Sequence, residues 1–248
     1  MKYLYLTLLL LTLFNPIYPF DELWVKAQSF ASNSWNLVPA KITNTAEITP
    51  VSGAGSTVVQ IQILQNTLNS NRNIDSVIVS QKLFKDGQEL NPDDANTDNN
   101  SSTLSTVEKM ILNDNHFERD LNPARFGVFH ETDSRCISVE KLNETREING
   151  VLCQSFYIKF SPPRRRDRVE GAAWLNAETG QPVFMDTMPQ YPPMMIRNMN
   201  IKQYFVYDSE NDLFYREKAV SSMTITMMGL RRNLTFTIMD ENHFRVNQ

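Results

Sequence analysis

The chain has 248 residues, enough to bury one sizeable core and a length at which all-β folds commonly run as a single domain. Its 24 lysines and arginines against 28 aspartates and glutamates give a net charge of −4. That balance excludes the global basic field that nucleic acid or an anionic membrane would attract.

Met1 and Lys2 precede an almost unbroken apolar run over 3–14, which ends at the helix-breaking Asn15 and Pro16. Residues 1–20 read as a secretory signal, with no small residues near Ile17–Phe20 to mark the cleavage point. The run is shorter than the roughly 20 apolar residues a membrane span needs, which counts against the competing reading, a retained anchor. The first cysteine is Cys136, which rules out lipid attachment at a processed N-terminal cysteine. The mature part, 21–248, is expected to be soluble and one domain.

Asp21 and Glu22 suit a helix N-terminus, and Trp24, Ala27, Ala31 and Trp35 then recur at helical spacing until Pro39. The pattern predicts a helix plugging a sheet. From there the period changes to two, with strands over 42–49, 58–63 and 74–84 separated by Gly- and Asn-rich turns. Residues 91–102 are nearly pure Asn, Asp, Ser and Thr, a composition that predicts a mobile insert. Its aspartates match no calcium-loop template, so no metal is expected there. Leu104, Val107 and Ile111 predict a short central helix lying over the sheet.

His116, His130 and His243 lack any zinc-site or triad spacing, and surface or loop positions are expected for them. Cys136 and Cys153 sit in strand-like runs over 135–142 and 151–160, joined by a turn-forming stretch over 143–150. If they face each other across a hairpin, an exported chain would oxidise them to one disulfide. Closing a loop of that size is worth about 3 kcal/mol in the chain-entropy model. A redox-active pair would need closer spacing and a basic setting. The loop over 161–168 carries Arg164, Arg165, Arg166 and Arg168. It reads either as a docking site for phosphate or an acidic partner, or as a solvated loop.

Residues 171–184 read as a β-hairpin, with Asn-Ala-Glu-Thr-Gly over 176–180 as the turn and Gly180 free to take φ > 0. Further alternating strands carry Met199, Ile201, Phe205 and Tyr207, then Met223, Ile225 and Met227, then Leu234, Phe236 and Ile238. Nine of the eleven methionines fall between 185 and 239. Flexible thioethers suit a cavity that adapts to apolar ligands, and they also fill ordinary cores.

The order of helix, meander, second helix, strand pair, Trp-Leu-x-x-x-Thr-Gly-x-Pro hairpin over 174–182 and further strands resembles the LolA-like superfamily of Gram-negative envelope proteins. The resemblance covers most of the chain from Glu22 onward. It implies a mainly β, α+β fold: a strongly curved antiparallel sheet forming an incomplete barrel, closed by an N-terminal and a central helix over an apolar cavity. It also implies a periplasmic protein that carries lipid or lipoprotein acyl chains by burial, at about 0.8 kcal/mol per CH₂. Met199, Ile201, Met223, Ile225, Met227 and Phe236 are then the candidate cavity lining. An envelope interaction protein docking a partner through its Pro-Arg loop is the alternative. Neither reading is enzymatic or needs a cofactor, and a monomer is expected.

Overall fold

A computed structural model describes residues 21–34, 36–52, 55–70, 73–91, 104–113, 128–129, 136–163, 168–211, 213–227 and 229–246. The signal over 1–20, Trp35, all of the polar insert but Asn91, His116, His130, Arg164 to Arg166 and Met228 lie outside the described residues.

Asp21 caps the first helix, α1 (Glu22–Asn33), by accepting from the Leu23 amide at 2.9 Å. Its side chain also holds Lys141 at 3.0 Å. A meander follows: β1 (Leu37–Pro50), β2 (Val58–Leu68), β3 (Ile74–Lys85) and the three-residue β4 (Gln88–Leu90). The second helix, α2 (Thr106–Asn113), starts at a capping box. Ser105 Oγ accepts from the Glu108 amide at 3.3 Å while the Glu108 carboxylate accepts from the Ser105 amide at 2.8 Å. Then come β5 (Ile137–Ile148), β6 (Val151–Phe160), β7 (Val169–Asn176), β8 (Pro182–Pro189), β9 (Ile196–Asp208), β10 (Leu213–Met227) and β11 (Leu230–Arg245).

All eleven strands form one antiparallel sheet in the order β4-β3-β2-β1-β11-β10-β9-β8-β7-β6-β5. The chain's first and last strands pair inside the sheet, with Thr45 opposite Thr237. Directly paired residues share a face. The run Phe156, Ala173, Met185, Gln203, Ala219, Ile238 and Asn44 therefore follows one surface of the sheet from β6 to β1. That surface carries two apolar clusters. One gathers Ile48, Val58, Leu83, Met223, Leu234 and Phe236 under Val107 and Ile111 of α2. The other packs Trp24 and Ala27 of α1 on Phe156, Ile158, Leu175 and Met185.

The expected α+β half-barrel is thereby corrected: the fold is nearly all β, and the sheet is not closed. Eleven strands at about 4.8 Å spacing make a sheet roughly 48 Å across. Helices of 12 and 8 residues extend only about 18 and 12 Å, so each covers one cluster and neither closes the sheet. Segments read as turns also turned out to be strand. Residues 143–148 belong to β5, and the β5–β6 connection shrinks to Asn149 and Gly150, both at positive φ as a two-residue hairpin turn requires.

Candidate functional site

The β7–β8 hairpin positions a groove at the edge of α1. Asn176 builds the turn, its side-chain oxygen accepting from the amides of Glu178 and Thr179 at 2.9 and 3.1 Å and its carbonyl from Gly180 at 2.9 Å. Gly180, at φ 75°, lies directly beneath the helix. A Cβ there would stand 2.7 Å from both the Leu23 carbonyl oxygen and the Lys26 Cβ, so glycine is what lets the turn touch α1.

Between this turn, α1, β9 and β10 the structure leaves a cavity of about 300 Å³. Its aromatic wall is Phe30, Tyr207 and Phe214, with Phe30 edge-on to Tyr207 at 5.3 Å and 6.3 Å from Phe214. Lys26, Asn33 and Thr179 form a polar rim. Lys26 is paired with Glu22 at 2.8 Å, an exposed contact of little energetic weight that leaves the ammonium available. Ser34 Oγ accepts from the Phe214 amide at 2.9 Å and joins the helix end to β10. Such a site can hold an apolar or aromatic group by burial, with one cation beside it.

Beyond Phe214 on β10 lies a buried charge pair. Arg216 Nε and Nη2 both donate to Asp240 Oδ2, at 2.7 and 2.6 Å. Arg216 Nη1 and Asp240 Oδ1 are buried with no hydrogen-bond partner among the described residues. Burial raises the Asp240 carboxyl and lowers the Arg216 guanidinium from their ordinary values, in each case against the attraction of the other.

His243 stacks on Tyr215 at 4.1 Å, inside the sheet rather than in the surface or loop setting expected for it. Burial, and then the nearby Arg216 charge, push its imidazole from 6.5 down to about 4. A lowered folded-state value means stability that is present above pH 6.5 and lost as pH falls through about 4. Asp240, shifted upward by burial, acts in the opposite sense. His243→Phe keeps the stacking and removes only the imidazole titration. Urea unfolding of both proteins between pH 7 and 4 is expected to show a shallower acid loss in the variant.

The cysteines do not come together. Cys136 lies beside Ser161, whose amide donates to its carbonyl at 2.7 Å, while Cys153 sits opposite Arg146 near the other end of the hairpin. Eight residues of strand, about 26 Å, separate those two points, against the 7 Å limit for Cα atoms in a disulfide. They also join different clusters. Cys136 packs against that of Phe156 and Ile158, and Cys153 against Trp174 and Phe184 on the opposite face. Both are free thiols, and burial raises the Cys153 thiol above its ordinary value. The expected disulfide is therefore corrected: the bulge between Lys141 and Thr145 shifts the register, and the strand continues past the expected turn.

The six residues proposed from sequence as a cavity lining are brought together. Ile201, Met223, Ile225 and Phe236 are buried in the cluster beneath α2, with Met199 and Met227 packed against it. The other methionines are scattered: Met185 is in the second cluster, whereas Met188, Met194, Met195 and Met239 are exposed. Of the arginine loop, only Arg168 is described. Its Nε donates to the Pro162 carbonyl at 3.2 Å, and its guanidinium lies 6.0 Å over the Tyr191 ring. Among the described residues no His, Cys, Asp or Glu cluster could hold a metal, and no helix is long and apolar enough to cross a membrane.

No protein-family model matches the sequence, and comparison with curated proteins finds no match. Among solved structures the chain is similar to a DUF1329 family protein from Desulfovibrio piger ATCC 29098, at 9% identity and a TM-score of 0.34 over 92% of this chain and 93% of that one. It is also similar to a chain of the Pseudomonas aeruginosa MucA/MucB complex, at 6% identity and a TM-score of 0.22 over 92% of this chain and 100% of that one. A chain from MucB in complex with MucA(peri) matches at 7% identity and a TM-score of 0.20, over 91% of this chain and 98% of that one. Scores this low carry no argument about ligand or partner, and the functional reading rests on the groove.

Proposed function

We propose that the protein is an exported, non-catalytic binding protein of the cell envelope that takes an acyl chain of a lipid or lipoprotein into the groove beside α1. The observation that carries this reading is the cavity of about 300 Å³ walled by Phe30, Tyr207 and Phe214, a volume at the lower end of small-ligand sites. Each methylene moved from water to that wall is worth about 0.8 kcal/mol, so burial alone supplies the affinity. Lys26 on the rim suits an anionic headgroup or carboxylate at the mouth. The apolar run over 3–14 supports export.

Ser29 is an exposed residue of α1 that lines the same groove. Ser29→Trp should fill the space with little effect on folding, since exposed substitutions usually stay within about 0.5 kcal/mol. A fluorescent fatty acid is expected to bind the wild type and to lose binding in Ser29→Trp at an unchanged melting temperature. Equal binding by both proteins, or none by the wild type, would overturn the assignment. Native mass spectrometry of the protein from the envelope fraction would then identify the molecule carried.

A further inference from the structure

The end of the sheet away from the groove presents a cluster of exposed apolar side chains. The connection from β8 to β9 carries Tyr191, Met194 and Met195, and the turn from β10 to β11 carries Leu230. Met194 is 98% exposed and the other three 43 to 49%. These positions adjoin. Thr226 of β10 donates its amide to the Met195 carbonyl at 2.9 Å, and on its other side it lies opposite Arg231, the neighbour of Leu230. The connection is also held stiffly. Pro192 and Pro193 fix two of its backbone angles, the Gln190 amide donates to the Arg168 carbonyl at 2.9 Å, and the Ile196 amide donates to the Pro193 carbonyl at 2.8 Å. A single exposed methionine calls for no explanation, whereas four large apolar groups held together in water mark a contact surface.

The same end is cationic. A net charge of −4 excludes a global basic field, yet no Asp or Glu occurs over 187–207 or over 218–239, stretches that carry Arg197, Lys202, Lys218, Arg231 and Arg232. Arg197 and Arg231 are exposed, opposite Thr224 and Thr226, and neither is joined to a carboxylate among the described residues. The Arg168 guanidinium lies 6.0 Å over the Tyr191 ring. Glu170, opposite Met188, brings the one negative charge near them and accepts from Gln190 Nε2 at 3.2 Å.

We propose that this end of the sheet docks on an anionic lipid bilayer: Tyr191, Met194, Met195 and Leu230 enter the interface while Arg168, Arg197 and Arg231 meet lipid phosphates. Charge complementarity and shape both select this occupant. A projecting apolar tip suits a bilayer, which yields around it, whereas a protein partner would need a hollow to match. Tyrosine is favoured at the interface for its amphipathic ring, and arginine meets phosphate through two parallel hydrogen bonds. Stable attachment to a membrane takes two signals, and the tip supplies an apolar and a cationic one. The groove stands clear of the docked surface. Its Tyr207 lies eleven residues along β9 from Ile196, about 35 Å, so docking and filling of the groove are separate events.

Flotation of the protein purified from the envelope fraction is expected to show binding to vesicles of phosphatidylcholine mixed with phosphatidylglycerol and little binding to phosphatidylcholine alone. Added salt should weaken it. Arg197→Gln combined with Arg231→Gln should weaken binding about 25-fold, at about fivefold for each arginine. Met194→Asp should weaken it about tenfold or more. All three side chains are exposed, so the melting temperature should stay unchanged. Independently, an environment-sensitive dye on Met194→Cys in a Cys136→Ser background should brighten on the mixed vesicles, and the same dye on Glu144→Cys, at the β5 edge, should not. Protein that ignores the mixed vesicles, binds the neutral ones equally, binds unchanged after the substitutions, or uses these residues to hold a protein in place of lipid would overturn the proposal.

Discussion

Gly171→Ala is expected to lower the melting temperature by about 10 °C. Gly171 lies in β7 opposite Thr187 of β8, and the strands approach so closely that an added Cβ would stand 2.1 Å from the Asp186 carbonyl oxygen. It would also be 2.7 Å from the Thr187 Cα. Both neighbours are backbone, so no side chain can turn aside, and relief requires moving one strand away from the other. Overpacking of this kind costs about 1–3 kcal/mol or more, and the residue's φ of 157° adds strain for any side chain. A combined loss near 4 kcal/mol converts to about 10 °C for a chain of this size. Gly150 supplies the control. It has φ 79° with nothing within 4 Å of the added Cβ, so Gly150→Ala reports the conformational cost alone, about 1–2 kcal/mol. Thermal unfolding followed by circular dichroism compares the two. A Gly171→Ala protein that melts no lower than Gly150→Ala would mean that β7 and β8 are not packed as described.

How far the chain can be read without its structure depends on the range of the interactions. Strands were legible where one face is buried, as in Leu234, Phe236 and Ile238, because alternation is a local pattern. The β7–β8 hairpin was legible too, since its turn is made by adjacent residues. Strand order was not. Pairing β1 with β11 joins residues nearly two hundred positions apart, and no local pattern encodes it. The same holds for the groove, whose walls come from α1, a turn, β9 and β10. The cysteine pairing failed for a different reason, since β5 continues through 143–148 past the expected turn, with one bulge, and so separates the residues along the strand. The buried charge pair does leave a local signal in the sequence. Asp240 continues the buried alternation of Leu234, Phe236 and Ile238, and a carboxylate in that phase calls for a cation on a neighbouring strand.

Removing that cation should be as damaging as crowding the hairpin. Arg216→Met preserves most of the volume and apolar stem of the side chain but strands Asp240, whose side chain is only 5% exposed. The intact pair is itself poorly compensated, because both Arg216 contacts fall on Oδ2 and Oδ1 is left without a partner among the described residues. Its net contribution is therefore small, yet losing one member costs about 3–5 kcal/mol, because an ionised carboxylate then stays buried alone. The sign with pH follows. A carboxyl raised above its unfolded value contributes stability that is present below the unfolded value and lost as pH rises through the folded one. Taking away Arg216 removes the only influence now lowering it, so the destabilisation should be greatest at neutral pH and shrink in acid as Asp240 takes up a proton. Adding Asp240→Leu to Arg216→Met removes the stranded charge as well and should recover most of the loss. Urea unfolding of the two variants and the wild type at pH 7 and pH 5 reads all three effects. A single variant within about 1 kcal/mol of the wild type, or a double variant no better than the single, would show that water reaches this pair and that the interior face of the sheet is open there.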